Sequence, residues 1–293
     1  MLFVLIKRLS TLFYKTIHYY KFIALSINKS KCIVKSEVLM FCVVKLKSVR
    51  YALLVVVAAV LLAISFNGVS SAQVFFGYST KKVPVYSVQT DKKQVAISFD
   101  AAWGADKTQA IMDTLKEYNA NATFFLVGFW TDKYPELVKK IDEQGFEIGT
   151  HSKTHPDMTK LSREAIKQEL VSSIELIENI TGKKVELFRP PYGAYNNTLI
   201  DISEECGVIP IQWDVDSLDW KGISAQQITE RIINNVKNGS IILCHNNSDH
   251  IVEALPMVLD RLAKKGYKIT SVGELVYKQN YEIDRTGLQK QKG

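Results

Sequence analysis

The sequence contains little cysteine, and none of it is spaced for a metal site. The four cysteines are Cys32, Cys42, Cys206 and Cys244, and no two form a C-x-x-C pair, which excludes a cysteine-based zinc site. A Cys206–Cys244 disulfide is conceivable, but both residues lie in apolar sequence, which favours buried free thiols. The sequence also lacks internal repeats, low-complexity tracts and coiled-coil heptads, so a repeat architecture is excluded.

Acidic residues are almost absent from the first 50 residues, where ten Lys or Arg are opposed by Glu37 alone. The rest of the chain carries 27 basic and 29 acidic residues, so the net charge of +7 originates in the N-terminal segment. Because the remaining chain is mildly acidic, the basic isoelectric point does not indicate a nucleic-acid partner.

Charge is also absent from residues 51–66, a run of sixteen residues that follows a basic stretch ending at Arg50. The small residues Ser70 and Ala72 come shortly after it. This layout predicts a signal peptide over residues 51–72 or, if the apolar run is extended by a few residues, a membrane anchor. In either case the positive charges stay in the cytoplasm and the C-terminal body is expected outside it.

The regions around this segment have less distinct patterns. Residues 1–39 are basic and patchily apolar, and Met40 begins a normal signal n-region. We therefore interpret Met40 as the start and residues 1–39 as an upstream translation artefact; the alternative is a genuine membrane-associated extension. Residues 73–91 predict a linker and a leading strand, residues 92–275 a globular body, and residues 276–293 a C-terminal tail.

The body alternates seven strand patterns with six helix patterns. The strand patterns are Val95–Phe99, Ala122–Val127, Glu147–Gly149, Val185–Phe188, Ile209–Val215, Ser240–Cys244 and Tyr267–Thr270. The helix patterns are Asp106–Tyr118, Tyr134–Glu143, Ser162–Ile180, Asn196–Cys206, Ala225–Val236 and Ile251–Lys264. Such alternation predicts a parallel α/β sheet or barrel. Since about 200 residues is short for a complete eight-fold barrel, we expect a distorted (β/α) barrel of about seven parallel strands.

Polar and ionisable residues follow five of the predicted strands. They are Asp100, the pair His151 and His155, Arg189, Asp219 and His245. Because the carboxyl ends of parallel barrel strands meet at one face, these residues are expected to form one site. Two histidines four residues apart on a turn after a strand can share a metal ion. The convergence predicts an enzyme.

These stretches resemble the polysaccharide deacetylase (NodB homology) family, carbohydrate esterases that remove N-acetyl groups from chitin-like sugars or peptidoglycan. The resemblance covers roughly residues 92–275. It rests on five motifs in the family's order: Ser98–Gly104, Thr150–His155, Phe188–Gly193, Trp213–Trp220 and Leu243–Asn246. It implies a distorted (β/α) barrel and a bound divalent metal, commonly zinc, with cobalt, nickel or manganese as alternatives. The F-D-x-x-W-G form of the first motif is similar to the sporulation-associated, PdaB-like branch.

The resemblance implies catalytic roles for four residues. Asp100 matches the general base and His245 the general acid that protonates the leaving amine. Asp219 matches the acid that orients His245 and raises its pKa, although Asp214 and Asp216 remain alternatives on sequence alone. Arg189 matches the residue that pairs with the base.

The resemblance also implies residues for the metal and the substrate. His151 and His155 match metal ligands. The Tyr192 backbone N–H matches the oxyanion donor, and Pro191 belongs to the rigid turn beside it. Trp220 and Leu243 match the apolar pocket for the acetyl methyl group, or are plain core residues.

The sequence departs from the family at one position. The common motif has two adjacent aspartates, the second a metal ligand, and here the second is Ala101. Asp106 could replace it, directly or through water, or could instead cap a helix that starts at Lys107. Losing a charged ligand should weaken metal binding.

The predicted function is a metal-dependent removal of N-acetyl groups from amino sugars of peptidoglycan, used in sporulation. The expected protein is a monomer that contacts the membrane through its N-terminal segment or is secreted, with the spore or forespore envelope as one location. The alternatives are a degenerate, non-catalytic glycan-binding member of the family and a chitooligosaccharide deacetylase.

Overall fold

The computed structural model describes residues 51, 53–57 and 81–292. Residues 51 and 53–57 are helical and belong to a separate N-terminal unit. The basic segment 1–50, and most of the predicted signal or anchor at 51–72, lie outside the described residues. Among those described, no helix combines the length and the apolar character needed to cross a membrane.

The body consists of short parallel strands separated by helices. Its strands are β1 Ser87–Val88, β2 Gln94–Ala101, β3 Thr123–Leu126, β4 Glu147–Thr150, β5 Leu187–Phe188, β6 Ile209–Pro210, β7 Val215–Asp216, β8 Ile241–His245, β9 Lys268–Thr270, β10 Tyr281–Ile283 and β11 Leu288–Gln291. Its α-helices are α1 Thr108–Glu117, α2 Gly128–Lys133, α3 Pro135–Glu143, α4 Arg163–Thr181, α5 Asn197–Glu205, α6 Ala225–Asn235, α7 Ile251–Lys264 and α8 Val272–Leu275. Single 3₁₀ turns occur at Met158–Lys160, Pro191–Gly193 and Asp219–Lys221.

One parallel sheet holds the strands in the order β6-β5-β4-β3-β2-β8-β7, and β9 pairs with the first half of β2. The predicted distorted (β/α) barrel is confirmed. The register aligns the strand ends: Asp100 of β2 lies opposite His245 of β8. Thr150 at the end of β4 lies opposite Phe188 at the end of β5. The residues that follow these ends therefore face the same space.

The predicted strand Ile209–Val215 is wrong as a single element, because its two ends belong to opposite edges of the sheet. β6 pairs with β5, whereas β7 pairs with β8. The segment between them must cross from one edge to the other, so it cannot remain one strand. Periodicity along the chain carries no information about this change of partner.

The first and last strands of the body lie beside this sheet and are paired with each other. Val85 bridges Ile211 after β6, and Ser87 bridges Ser240 before β8. β1 also pairs in parallel with β11, which forms an antiparallel hairpin with β10. The predicted C-terminal tail therefore contains two strands. Their sequences are too polar to show a strand pattern.

The side chains of β2 alternate between two environments, as expected for a strand. Val95, Ile97, Phe99 and Ala101 pack in the larger apolar cluster, which includes residues of the surrounding helices. Ala96 belongs to a second cluster with residues such as Phe125 and Ile241. Burying one large apolar side chain contributes roughly 1.5–3 kcal/mol, so these two layers fix the direction in which each strand-end residue points.

The helix boundaries lie within two residues of the predicted ones for the six predicted helices. Ser162 accepts a hydrogen bond from the Ala165 N–H, and Ser224 forms a capping box with Gln227. α1 is an exception at its start: its N-cap is Lys107, without a side-chain cap, so Asp106 does not cap it. Cys206 and Cys244 are both free thiols; Cys244 is buried, whereas Cys206 is partly exposed.

Candidate active site

The carboxyl ends of the strands open into one cleft with a volume of about 680 Å³. Seven of the predicted site residues line it: Asp100, His151, His155, Tyr192, Trp220, Leu243 and His245. Arg189, Asp219 and Pro191 are buried beside or behind these lining residues. The structure therefore brings together every predicted site residue except Asp106.

Arg189 and Asp100 form a buried ion pair beneath the cleft. The Arg189 side chain is completely buried, and its Nη1 lies 2.9 Å from Asp100 Oδ1. Nη1 also donates to Ser98 Oγ at 2.8 Å, and Nη2 donates to the Gln212 carbonyl at 3.1 Å. Burial lowers the pKa of Arg189 from its ordinary value, and the Asp100 carboxylate opposes that shift. An arginine remains charged in such a setting, so its charge compensates that of Asp100.

His151 and His155 face each other across a short gap. His151 Nδ1 lies 2.6 Å from the Arg189 carbonyl oxygen, which can only accept, so Nδ1 carries the proton in the neutral ring. His151 Nε2 then presents a lone pair toward His155 Nε2, at 3.2 Å. Burial lowers the pKa of His151, and burial together with the charge of His151 lowers that of His155 to about 4. Both rings are therefore neutral near pH 7, as metal ligands must be.

The histidine pair fits a divalent metal. Two ligands of a tetrahedral ion at about 2.0–2.1 Å lie about 3.3–3.4 Å apart, close to the 3.2 Å between the two Nε2 atoms. Asp100 Oδ2 lies 3.5 Å from His151 Nε2, on the same side. The support for His155 is weaker, because its buried Nδ1 has no hydrogen-bond partner among the described residues, whereas metal-ligating histidines usually donate their second N–H.

The predicted contribution of Asp106 to the metal site is not supported. Asp106 is exposed in the turn before α1 and does not line the cleft. Across the described ranges, no group of three or more His, Cys, Asp and Glu residues is arranged to hold a metal ion. The turn directs the Asp106 side chain to solvent, a detail that spacing in the sequence does not reveal.

Glu169 of α4 fastens the loop between the two histidines. Its Oε2 accepts hydrogen bonds from the Lys153 and Thr154 N–H groups at 2.9 and 2.8 Å, and its Oε1 accepts from Thr154 Oγ1 at 2.6 Å. The Ser152 hydroxyl accepts from the His155 N–H at 2.9 Å. These bonds hold a loop in which both Ser152 and His155 have positive φ, 69° and 59°.

Left-handed backbone is concentrated in the loops of the site. Of six non-glycine residues with positive φ in the described chain, four are Ser152, His155, Tyr192 and Leu218. Each such residue costs on the order of 1–3 kcal/mol and persists only where the surroundings impose it. Tyr192 has φ 59° and is 69% exposed, and it lines the cleft.

His245 and Asp219 form the third pair. Asp219 is 1% exposed, and its Oδ1 lies 2.7 Å from His245 Nδ1. Its Oδ2 accepts from the His245 N–H at 2.7 Å and from Ser248 Oγ at 3.0 Å. Burial lowers the pKa of His245, but the hydrogen bond and charge of Asp219 raise it, and the net shift is upward. The imidazole is therefore held with Nδ1 toward Asp219 and Nε2 toward the cleft.

The two alternative aspartates bind elsewhere. Asp216 Oδ1 accepts from the Leu218 N–H at 2.8 Å. Asp214 accepts from Ser240 Oγ at 3.0 Å and from the Ile241 N–H at 2.9 Å. Of the three aspartates left open by the sequence, Asp219 is the one that contacts His245.

Trp220 and Leu243 lie on the His245 side of the cleft. Leu243 is 3% exposed, whereas Trp220 is 57% exposed. Leu243 thus forms part of a buried wall, and Trp220 presents its ring to solvent at the rim. Sequence reasoning missed Ser98, Gln212, Ser248 and Glu169, whose contacts with the site residues are made across the fold. Only Ser98 had a sequence signal, since it lies two residues before Asp100 on the same face of β2.

Comparison with known proteins agrees with this arrangement. The family model described as polysaccharide deacetylase matches residues 87–211. A peptidoglycan-N-acetylglucosamine deacetylase of Bacillus cereus is 32% identical over 201 residues, covering 67% of this chain and 73% of that protein. The uncharacterized protein YlxY of Bacillus subtilis is 35% identical over 198 residues, covering 68% of this chain, and the chain spans 62% of its length.

A solved structure extends the comparison. Wild-type BA3943 of Bacillus anthracis, described as a CE4 family pseudoenzyme, superimposes with a TM-score of 0.64 and is 33% identical, over 66% of this chain and 68% of that chain. A mutant of BA3943 is described as having restored enzymatic activity. This chain belongs to the polysaccharide deacetylase family.

Proposed function

We propose that the chain is a metal-dependent deacetylase that hydrolyses N-acetyl groups on amino sugars of peptidoglycan. The observation that carries the proposal is the meeting of three pairs around one cleft: Asp100 with Arg189, His151 with His155, and His245 with Asp219. Amide hydrolysis requires an activated water, a polarised carbonyl and a proton for the leaving amine. Each pair is suited to one of these tasks.

Asp100 and His245 are suited to move the protons. Arg189 holds Asp100 Oδ1, so Oδ2 is the oxygen available to accept the proton of the attacking water. His245 keeps Nδ1 on Asp219, so Nε2 can donate a proton to the amine as the carbon–nitrogen bond breaks. Positioned acids and bases of this kind typically contribute about 10²–10⁴-fold each.

His151 and His155 would hold the metal through their Nε2 atoms. When bound, the metal supplies Lewis-acid activation of the water and of the acetyl carbonyl. In this proposal the Tyr192 N–H donates to the oxygen of that carbonyl as it gains charge, the role that the family resemblance implies. Leu243 and Trp220 offer apolar contact to the acetyl methyl group.

The remaining parts of the proposal concern the cellular setting. The Bacillus cereus relative is a peptidoglycan-N-acetylglucosamine deacetylase, which supports a peptidoglycan substrate. The F-D-x-x-W-G motif at Phe99–Gly104 supports a role in sporulation, and the apolar segment 51–72 supports a membrane-anchored or secreted location. We propose that the protein acts as a monomer outside the cytoplasm.

Acetate release tests this function. The full chain is incubated with peptidoglycan in the presence of Zn²⁺, Co²⁺, Ni²⁺ or Mn²⁺, beside the Asp100→Asn and His245→Ala variants. We expect acetate from the wild type and a loss of at least about 100-fold in either variant. His250→Ala is the control, because His250 contacts Glu253 away from the cleft. Absence of acetate with every metal would contradict the proposal.

A second candidate is a non-catalytic glycan-binding protein. It is favoured by one observation, Ala101 at the position of the second aspartate, together with the likeness to a CE4 family pseudoenzyme. Binding of peptidoglycan without acetate release in the same assay would select it. Faster acetate release from chitooligosaccharides than from peptidoglycan would instead select the chitooligosaccharide deacetylase.

A further inference from the structure

A buried glutamine outside the three pairs contacts two parts of the site at once. Gln212 lies in the segment that crosses from β6 to β7 and is 1% exposed. Its side-chain Nε2 donates to the Gly193 carbonyl at 3.0 Å, and its backbone carbonyl accepts from Arg189 Nη2 at 3.1 Å. Burying an amide is costly unless its hydrogen bonds are made, so these two contacts explain how a glutamine is accommodated there.

The two contacts hold the first and last residues of one turn, which spans residues 189–193. The Arg189 guanidinium contacts the rings of Phe125 and Trp213, at 4.2 and 5.4 Å from their centroids, so packing also fixes this end of the turn. Among the described residues, the Gln212 amide is the one side chain that donates to a carbonyl of the last four residues of the turn. Gln212 therefore joins the two ends.

The backbone between these ends requires support from outside the turn. Tyr192 and Gly193 are consecutive left-handed residues, with φ 59° and 65°. Tyrosine carries a Cβ and rarely adopts this conformation, which persists only where the surroundings impose it. Inside the turn, the Gly193 N–H donates to the Pro190 carbonyl at 3.1 Å. The bond from Gln212 adds a second constraint, which ties the left-handed residues to the segment between β6 and β7.

Gln212 is itself anchored and packs closely against the turn. Its backbone N–H donates to the Val85 carbonyl at 2.7 Å, so its main chain is bonded on both sides. A Cβ on Gly193 would lie 2.9 Å from the Trp213 ring and 3.2 Å from Gln212 Oε1. The turn and the glutamine therefore fit against each other without space for a side chain between them.

We propose that Gln212 is a positioning residue that fixes the Tyr192 N–H relative to the Asp100–Arg189 pair. This role rests on the proposed function, in which Asp100 accepts a proton from the attacking water and the Tyr192 N–H donates to the carbonyl oxygen. Both groups act on one carbonyl, and a misplacement of about 1 Å can cost roughly 10²-fold in rate. Gln212 does not line the cleft, so its effect on the reaction passes through the turn.

Kinetics of acetate release from soluble peptidoglycan fragments by the zinc-loaded full chain test this role. Gln212→Met keeps the approximate length of the side chain and removes the donor. We expect kcat to fall about 10–100-fold and KM to change less than about threefold, because an oxyanion donor acts mainly in the transition state. Gln212→Asn, whose amide is one methylene too short to reach the Gly193 carbonyl, should show a loss of the same kind.

Gln289→Met is the matched control. Gln289 is also buried, at 0% exposed, and its side chain accepts from the Tyr277 N–H and donates to the Tyr277 carbonyl, both at 2.8 Å. It does not line the cleft. Because Gln289→Met removes two buried hydrogen bonds, it should lower the melting temperature at least as much as Gln212→Met, yet keep the wild-type kcat.

Hydrogen exchange of the turn, measured by mass spectrometry on the full chain, is a readout that does not depend on activity. The amides of Tyr192 and Gly193 should exchange faster in Gln212→Met than in the wild type, and at the wild-type rate in Gln289→Met.

Equal kcat values for Gln212→Met and Gln289→Met would overturn the proposal, as would a rise in KM that accounts for the whole loss of kcat/KM. Unchanged exchange of the turn in Gln212→Met would also overturn it. If the wild type releases no acetate, the proposed function fails. Faster exchange in Gln212→Met would then still support Gln212 as the residue that holds Tyr192, and unchanged exchange would overturn that role.

Discussion

Asp219→Asn is the substitution that most directly tests how His245 works. In the wild type, Asp219 Oδ1 lies 2.7 Å from His245 Nδ1, and Oδ2 accepts from the His245 N–H and from Ser248 Oγ. In the variant, the amide oxygen must keep the position that accepts these two donors. The amide NH₂ then points at His245 Nδ1, which must offer a lone pair to accept from it.

The substitution changes the protonation state of His245 without changing the shape of the site. His245 would become the neutral Nε2–H tautomer, and a neutral imidazole is a very weak acid. In the wild type, burial lowers the pKa of His245, but Asp219 raises it by more, so the net shift is upward. The variant loses the effect of Asp219, so the pKa of His245 falls. Loss of one positioned acid predicts a fall in kcat of about 10²–10⁴-fold, or roughly 3–5 kcal/mol of barrier.

The assay is the pH dependence of kcat for acetate release, with NMR of the His245 ring nitrogens. An acid must be protonated to act, so wild-type kcat should fall as pH rises through a pKa above the ordinary value of about 6.5. In Asp219→Asn the fall of kcat with rising pH should occur at lower pH. Asp214→Asn is the control, because Asp214 binds Ser240 Oγ and the Ile241 N–H, whereas the charge of Asp216 itself helps to raise the pKa of His245. An unchanged pH dependence of kcat and an unchanged His245 tautomer in Asp219→Asn would refute the reasoning.

Three further predictions concern the rest of the site. Arg189→Met should lower the free energy of unfolding by about 3–5 kcal/mol, since it leaves a buried carboxylate unpaired. Arg163→Met, which breaks an exposed ion pair, should lower the free energy of unfolding by at most about 1 kcal/mol. Urea titration measures both variants, and equal losses would contradict the larger effect expected for Arg189→Met. Glu169→Ala should weaken Zn²⁺ binding about 10–100-fold, because it releases the loop between His151 and His155. Glu169→Gln can re-form the three hydrogen bonds, and Glu175→Ala lies on the exposed side of the same helix, so neither should weaken binding. Calorimetric titration with Zn²⁺ measures the three affinities. Ala101→Asp should lower the free energy of unfolding by about 1–3 kcal/mol, because residue 101 packs in the larger apolar cluster; an unchanged melting temperature would contradict this.

The sequence was informative where the chemistry lies at strand ends. Asp100, His151, Arg189 and His245 each lie within one residue of the end of a strand, and the pairing register brings those ends side by side. A parallel barrel makes this outcome general, so strand patterns and residue types were sufficient to predict one cleft. The choice of Asp219 over its neighbours needed the resemblance, because three aspartates lie within six residues.

The sequence was uninformative where a contact depends on partners far along the chain. Glu169 is one of several acids on α4, and nothing in the helix pattern distinguishes it from Glu175. The division of residues 209–216 between two sheet edges depends on which strands lie beside them. Asp106 had the correct residue type and a plausible spacing, but the turn before α1 carries it into solvent.

Ala101 shows why the missing carboxylate is more than the deletion of one ligand. β2 remains a regular strand through residue 101, which pairs with Leu126 and whose carbonyl accepts from the Val127 N–H at 3.1 Å. Successive side chains of a strand point to opposite faces, so Ala101 packs in the larger apolar cluster while Asp100 faces the cleft. The carboxylate oxygen near His151 is then Asp100 Oδ2, at 3.5 Å. Asp100 is also the expected base. A metal that bound the Asp100 carboxylate more tightly would leave that carboxylate less able to accept a proton. The two-histidine arrangement would therefore trade metal affinity against basicity on one carboxylate, that of Asp100.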